Sequence, residues 1–221
     1  ITLNHYKAHL IYEETLNQID GISYTSSDLT IKIQKEKIIN KNFETAMLFS
    51  KLHNYNEARK CYENILKIDP NSFMGHFYYA NLLKDIKLNE GAQKHYKIAL
   101  NINPNFNYLH FNYANLLIDN FNDKIGAKLN YEKELILNPN YATHYKLALL
   151  FKDKFRNYER AKYHYEKALI IEPNNSYTHF NCAILLKDYL DDFDGAKLHY
   201  ERAIQLNPIL ETDELNIFFE N

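Results

Sequence analysis

The sequence predicts an all-α protein, built as a right-handed α-solenoid of stacked antiparallel helix pairs. The five prolines of the 221-residue chain recur at intervals of 34 or 35 residues, and fixed periods of this length are typical of solenoids. The apolar residues between the prolines follow helical rather than strand spacing, and the chain has only five glycines. A helix pair of this size cannot bury its apolar face alone, whereas stacked pairs share one continuous core.

Composition and charge exclude several classes of protein. Lys and Arg number 26 against 28 Asp and Glu, for a net charge of −2, whereas a general nucleic-acid binder shows a basic excess. The longest uninterrupted apolar runs, such as Leu147 to Phe151, have five residues, far short of the roughly 20 residues that a membrane-spanning helix needs. We therefore expect neither nucleic acid nor a membrane as a partner.

The cysteines and the N-terminal residues predict the compartment. Cys61 and Cys182 are the only cysteines, and two cysteines this far apart do not indicate a secreted disulfide framework. The first ten residues include His, Lys and Asn instead of the apolar core of a signal peptide. We expect a reducing compartment, the cytoplasm or the nucleus.

Each repeat has a predicted second helix that ends at its proline. Ala161, Tyr165, Ala168 and Leu169 step by four, three and one residues, which places them on one helical face. Proline cannot continue the helix, and the asparagine that follows four of the five prolines is suited to cap the next one. The alanine and tyrosine of this pattern recur as Ala58 and Tyr62, Ala92 and Tyr96, Ala127 and Tyr131, and Ala196 and Tyr200.

Each repeat also has a predicted first helix, which carries a small residue and, in four repeats, a histidine. The small residues are Ala46, Ala80, Ala114, Ala148 and Ala183, and the histidines are His76, His110, His144 and His179. A second series, His95, His164 and His199, precedes the second-helix tyrosine. Adjacent helices pack about 8–10 Å apart, whereas zinc–nitrogen bonds need about 2 Å. The first-helix histidines therefore cannot converge on one metal. We interpret both series as packing positions and expect no cofactor.

No pattern in the sequence indicates catalysis. There is no glycine-rich phosphate loop and no Gly-x-Ser-x-Gly nucleophile elbow. Cys61 and Cys182 stand at positions that other repeats fill with His, Asn, Tyr or Leu, so we interpret them as packing residues. We expect the protein not to be an enzyme.

These residues resemble the tetratricopeptide repeat (TPR) family. The resemblance rests on the small first-helix residue, the Ala…Tyr…Ala series of the second helix and the closing proline. The usual tryptophan is absent, and the last three repeats carry one extra residue between their helices. The resemblance implies five units at 39–72, 73–106, 107–141, 142–175 and 176–208, after a degenerate repeat remnant and loop at 1–38 and before a capping helix at 209–221. The pattern leaves open whether residues 28–52 form one long helix or two shorter ones.

First helices line the concave groove of TPR solenoids, so the resemblance implies a non-catalytic scaffold that binds a peptide or another protein there. Aromatic side chains supply rigid contact area, and asparagine amides pair with the N–H and C=O groups of an extended peptide. A phenylalanine that serves a ligand must keep an exposed face. The expected groove residues are Phe77, Tyr78, Asn81, Lys84, Phe111, Asn112, Asn115, Tyr145, Lys146, Phe180, Asn181 and Lys187.

The same residues bear on two alternative partners. Family members that bind acidic chaperone tails use a two-carboxylate clamp, and Asn81, Asn112 and Lys146 match part of it. Phe77 replaces the first lysine of that clamp, and Ala142 stands where its other cation is needed. Because a carboxylate buried without a cationic partner is costly, a chaperone tail is disfavoured. The remaining alternative is a structural module that self-associates as a homo-oligomer or docks a fused domain through its end faces.

Overall fold

The computed structural model describes the backbone of residues 26–212 and the side chains of residues 30–212. Over that range the chain is helical and contains no strand, which confirms the predicted all-α fold. The predicted repeat remnant near the N-terminus and most of the predicted capping helix lie outside the described residues. The chain divides into two compact parts, Ile1–Pro104 and Asn105–Asn221, which we call the N-terminal half and the C-terminal half.

The N-terminal half contains two helix pairs, the first and second repeats. Its helices are α1 (Ser26–Lys51), α2 (Tyr55–Ile68), α3 (Phe73–Asp85) and α4 (Asn89–Ile102). Helix α1 packs on α2 and α3 on α4, and α2 contacts α3. Helix α1 is a single long helix that crosses the predicted boundary between residues 38 and 39. Its sequence contains no proline or glycine, so no strong helix breaker interrupts it.

The C-terminal half contains the third, fourth and fifth repeats. Its helices are α5 (Leu109–Phe121), α6 (Lys124–Leu137), α7 (Tyr141–Leu150), α8 (Tyr158–Ile171), α9 (Ser176–Tyr189) and α10 (Phe193–Leu206). A π-helical turn, Phe151–Phe155, continues α7, and a 3-10 turn, Pro208–Leu210, follows α10. The pairs are α5–α6, α7–α8 and α9–α10, and they stack through α6–α7 and α8–α9. None of the helices described in either half is both long enough and apolar enough to cross a membrane.

Small residues let the two helices of each pair approach closely. The first-helix alanines named above and the second-helix alanines Ala58, Ala92, Ala127, Ala161 and Ala196 are all fully buried. The second-helix tyrosines are buried beside them, each at most 3% exposed. The repeat pattern of the sequence is thus the packing pattern of the helix pairs.

The extra residue of the last three repeats lies in the turn between the helices. In the first two repeats the N–H before the second helix donates to a carbonyl five residues back, as from Leu88 to Leu83. In the last three it donates six residues back, as from Asn157 to Phe151. The wider turn absorbs the insertion, so the second helix still meets the first at its alanine. In the fourth repeat this widening forms the π-helical turn.

Candidate functional site

The predicted groove phenylalanines occupy two different environments. Phe77 is only 6% exposed, and its ring lies 6.2 Å from that of Phe73 and 6.5 Å from that of Tyr96. This corrects the prediction for Phe77, which fills the core between α3 and α4 and offers no free face. Phe111 and Phe180 are half-buried, so both keep an exposed face on the first-helix side.

Core tyrosines hold two of the predicted asparagines. The hydroxyl of Tyr96 donates to Asn81 Oδ1, and the hydroxyl of Tyr131 donates to Asn115 Oδ1 at 2.6 Å. Each bond joins a second helix to the first helix of the same pair. Because Oδ1 is engaged, the amide N–H groups of Asn115 are left to donate elsewhere, and they have no acceptor within residues 30–212.

The other two predicted asparagines have the opposite orientation. Asn112 Nδ2 donates to the carbonyl of Tyr108 at 2.9 Å, and Asn181 Nδ2 donates to the carbonyl of Tyr177 at 2.9 Å. Asn181 Nδ2 also donates to the hydroxyl of Tyr145 at 2.9 Å, which links α9 to α7. In both residues Oδ1 stays available as an acceptor. Helix α5 therefore presents an acceptor at Asn112 and donors at Asn115, one turn apart.

The predicted tyrosines and lysines lie on first helices, where they are half-buried. The ring of Tyr78 lies 6.0 Å from that of Phe43, and the ring of Tyr145 lies 6.0 Å from that of Tyr165. Burial raises the pKa of Tyr78 and of Tyr145 above its usual value. Lys146 makes no ion pair among the described residues.

Lysine–aspartate pairs recur at the ends of first helices. Their Nζ–Oδ1 distances are 4.0 Å for Lys84–Asp85, 3.4 Å for Lys152–Asp153 and 2.6 Å for Lys187–Asp188. In the third repeat Ile118 takes the place of the lysine. Asp119 consequently has no cationic partner in the described part of the chain.

A cavity in the C-terminal half lies against the first helices of the third and fourth repeats. Its volume is about 160 Å³. Its apolar lining comes from Ile118, Leu149, Leu150 and the ring of Tyr131, and its charged lining from Asp119, Lys146, Asp153 and Lys154. The set of expected groove residues contains Lys146 but not Ile118 or Lys154. Lys154 reaches the cavity from the π-helical turn, which the sequence indicated only as one extra residue.

The repeated histidines form hydrogen-bonded pairs between the two helices of a repeat. The Nδ1–Nδ1 distances are 2.7 Å for His76–His95, 3.0 Å for His144–His164 and 2.8 Å for His179–His199. His76 Nε2–H donates to the carbonyl of Pro70 at 3.0 Å, so the Nδ1 of neutral His76 accepts from His95. In the third repeat the Nδ1 of His110 instead lies 2.9 Å from Asn130 Oδ1.

These pairs are packing contacts in which burial suppresses protonation of the second-helix histidine. Burial, as the largest cause, and the nearby His76, as the next, together lower the pKa of His95 to about 4. Burial likewise lowers the pKa of His164 to about 4, with His144 as the next cause. Among the residues with described side chains, no three potential metal ligands cluster together.

Comparison with known proteins identifies one repeat and the overall fold. The model of the tetratricopeptide repeat matches residues 43–72. No curated protein matches the sequence.

Similar solved structures cover most of the chain. MamA from Desulfovibrio magneticus RS-1 is 15% identical with a TM-score of 0.70, over 79% of this chain and 98% of that one. YrrB, a TPR protein with an unusual peptide-binding site, is 16% identical with a TM-score of 0.65, over 82% of this chain and 94% of that one. PilF from Pseudomonas aeruginosa is 19% identical with a TM-score of 0.69, over 79% of this chain and 78% of that one.

At these identities the likeness shows the fold alone. The stacked helix pairs, their buried alanines and the matched repeat agree with that fold, which confirms the resemblance indicated by the sequence. The chain thus has the fold of a tetratricopeptide-repeat solenoid, and its residues 43–72 match the repeat itself.

Proposed function

We propose that this protein is a non-catalytic interaction scaffold and that the first-helix face of its C-terminal half binds an extended peptide segment of another protein. The observation that carries the proposal is the pair of oppositely oriented amides on α5. Asn112 offers Oδ1 as an acceptor, and Asn115 offers Nδ2–H as a donor. An extended peptide presents N–H and C=O groups in alternation, so the two amides match a peptide backbone.

The neighbouring cavity supplies a place for a peptide side chain. Its volume of about 160 Å³ is close to the roughly 150 Å³ that holds a benzene molecule in an apolar protein cavity. The apolar lining by Ile118 and Leu149 favours an aliphatic or aromatic side chain. Asp119 and Lys146 offer opposite charges to the peptide residues on either side of the one whose side chain enters the cavity.

The fold of YrrB supports the proposal, since that structure is described as a TPR protein with a peptide-binding site. The support is one of architecture, because the identity is only 16%. The ligand of this chain is therefore defined by its own residues: a backbone that pairs with two amides, and one apolar side chain.

A displayed library of random peptides, selected on the wild-type protein, tests the proposal. The dissociation constant of the selected peptide is then measured by calorimetry for wild type, Asn112→Ala and Asn115→Asp. Asn115→Asp keeps an oxygen that accepts from Tyr131 but removes the amide donors, so it tests donation without breaking the core bond. Each lost hydrogen bond is worth about 1 kcal/mol, or roughly fivefold in affinity.

Two variants on second helices serve as matched controls. Asn64→Ala and Asn101→Asp make the same chemical changes at exposed positions in the N-terminal half, and they should leave the affinity unchanged. Failure to select any peptide, or equal affinity for the α5 variants and the controls, would contradict peptide binding at this face.

A further inference from the structure

The second helices of the C-terminal half carry apolar side chains on their solvent-facing side. Leu129, Tyr163 and Leu198 hold the same repeat position on α6, α8 and α10, and they are 56%, 52% and 68% exposed. Ile136 and Ile170 form a second row two turns further along α6 and α8 and are 76% and 70% exposed. We call these five residues the apolar rows. Exposed apolar residues gathered on one face are characteristic of interaction sites.

The N-terminal half shows that the fold does not require these residues. The positions equivalent to Leu129 are Lys60 and Lys94 there, and the positions equivalent to Ile136 are Lys67 and Asn101. All four are exposed. The apolar rows are therefore specific to the C-terminal half and are not part of the repeat packing.

The three helices that carry the rows present one face. The helix pairs stack in order through α6–α7 and α8–α9, and Lys162 Nζ on α8 lies 3.3 Å from Asp192 Oδ2 at the N-terminus of α10. A helix of 14 residues is about 21 Å long, and neighbouring helices pack about 8–10 Å apart. Three such helices side by side cover about 500–630 Å², the same order as the roughly 800 Å² that each partner buries in a standard interface.

Between the apolar rows lie equal numbers of acidic and basic side chains. Each helix carries a glutamate followed by a base: Glu132 and Lys133, Glu166 and Lys167, Glu201 and Arg202. These six side chains carry no net charge, unlike a membrane-binding helix face, which is enriched in Lys and Arg. A neutral face with paired signs is complementary to itself.

We propose that this face binds a second copy of the chain, related by a two-fold axis that is perpendicular to α8 and passes between Glu166 and Lys167. Such an axis places α8 against α8 of the second copy, because a two-fold interface uses the same patch on both subunits. Glu166 then faces Lys167 of the second copy, and Lys167 faces its Glu166. Tyr163 then faces Ile170 of the second copy, so apolar side chains contact apolar side chains.

Sedimentation velocity from 1 to 100 µM tests this proposal on the full chain. The expected result is a concentration-dependent dimer for wild type and a monomer for Leu129→Lys/Leu198→Lys. Lysine is suited to these positions because the N-terminal half already has Lys60 and Lys94 there. The matched control, Leu48→Lys/Leu52→Lys, removes Leu48 of α1 and Leu52 just after that helix, which are 57% and 65% exposed, and it should remain dimeric.

A charge exchange on α8 tests the two-fold arrangement itself. Glu166→Lys creates two like-charge pairs across the interface and should raise the dimer dissociation constant about tenfold. Glu166→Lys/Lys167→Glu restores both pairs and should return the constant to within about twofold of wild type. A wild type that stays monomeric at 100 µM overturns the proposal. So does a double exchange as weak as the single one, or a control variant that dissociates like Leu129→Lys/Leu198→Lys.

Discussion

In the third repeat the buried hydroxyl of Tyr131 donates to Asn115 Oδ1, whereas in the fourth repeat the hydroxyl of Tyr165 has no partner within the described residues. Both tyrosines hold the same position of the second helix and are at most 1% exposed. The difference lies on the first helix, where Leu149 replaces the asparagine. The comparison shows that Asn115 satisfies a buried hydroxyl of the core through its oxygen, which leaves its amide N–H groups for the peptide that we propose binds there.

The same two repeats differ at the start of the first helix. Asn140 caps α7 by accepting from the N–H of Thr143 at 2.9 Å. Tyr108, which precedes α5, has a φ of 69° and makes no side-chain cap. The fully buried carboxylate of Glu134 instead accepts from the N–H of Tyr108 at 2.9 and 3.1 Å and from that of Phe111 at 3.4 Å. A cap can thus come from the second helix when the local sequence lacks one.

Glu134→Ala should have the largest effect on stability, because it removes the carboxylate that caps α5. The fourth repeat has Ala168 at this position, yet the change should lower the free energy of unfolding by about 3 kcal/mol, because it leaves buried N–H groups without an acceptor. Urea denaturation measures the effect. Glu132→Ala, which removes a glutamate that is half-buried and lies two residues away, should change it by less than about 0.5 kcal/mol. A loss below about 1 kcal/mol for Glu134→Ala would show that the cap contributes little.

Acid should destabilise the protein through its histidine pairs. The pKa of His95 and His164 is about 4 in the folded protein, against about 6.5 unfolded. The unfolded chain therefore binds more protons between these values, and stability is complete above about pH 6.5 and falls as the pH drops toward about 4. Melting temperatures across that range should show the decline.

His164→Asn copies the His110–Asn130 arrangement of the third repeat into the fourth. At pH 4.5 it should reduce the acid-induced loss of unfolding free energy by about 1–2 kcal/mol, because one suppressed protonation is removed. His53→Asn changes a histidine that is exposed and lies outside these pairs, and its acid profile should match wild type. Equal profiles for all three proteins would assign the acid sensitivity to other groups.

Removing the hydroxyl of Tyr131 or of Tyr165 should have the smallest effect on stability, and it compares the third and fourth repeats directly. Tyr131→Phe should lower the free energy of unfolding by about 1 kcal/mol, since it removes a partnered hydroxyl. Tyr165→Phe should leave it unchanged or raise it, because it removes a buried polar group without a partner. Calorimetric melting compares the two variants. Equal losses would show that the Tyr165 hydroxyl is satisfied after all.

Much of the fold could be predicted from the sequence because the repeat places the same small residues at every helix crossing. Ala80 and Ala114 have no side-chain rotamers, so their burial can be predicted from their spacing in the sequence alone. The burial of Phe77 could not be predicted in this way, since Phe77, Phe111 and Phe180 share one repeat position and only their packing differs. The single extra residue indicated a wider turn, but its π-helical form depends on hydrogen bonds that no spacing shows.

The candidate site was harder to predict, because its chemistry depends on side-chain orientation. The sequence predicts Asn112 and Asn115 as site residues. It does not predict that Asn112 presents its amide oxygen and Asn115 its amide nitrogen. That outcome depends on Tyr131, which lies 16 residues away along the chain. The recurrence of Leu129, Tyr163 and Leu198 was visible in the sequence, yet only their exposure distinguishes a surface row from a core row.

A double-mutant cycle on Tyr131 and Asn115 tests most directly whether the core orients the groove amides. The variants Tyr131→Phe, Asn115→Leu and both together are compared with wild type by urea denaturation, with Asn115→Leu reproducing the fourth repeat. Contacting residues that share a hydrogen bond are coupled, and we predict a coupling free energy of about 1 kcal/mol. Strict additivity of the two single changes would contradict the bond and the fixed orientation of Asn115.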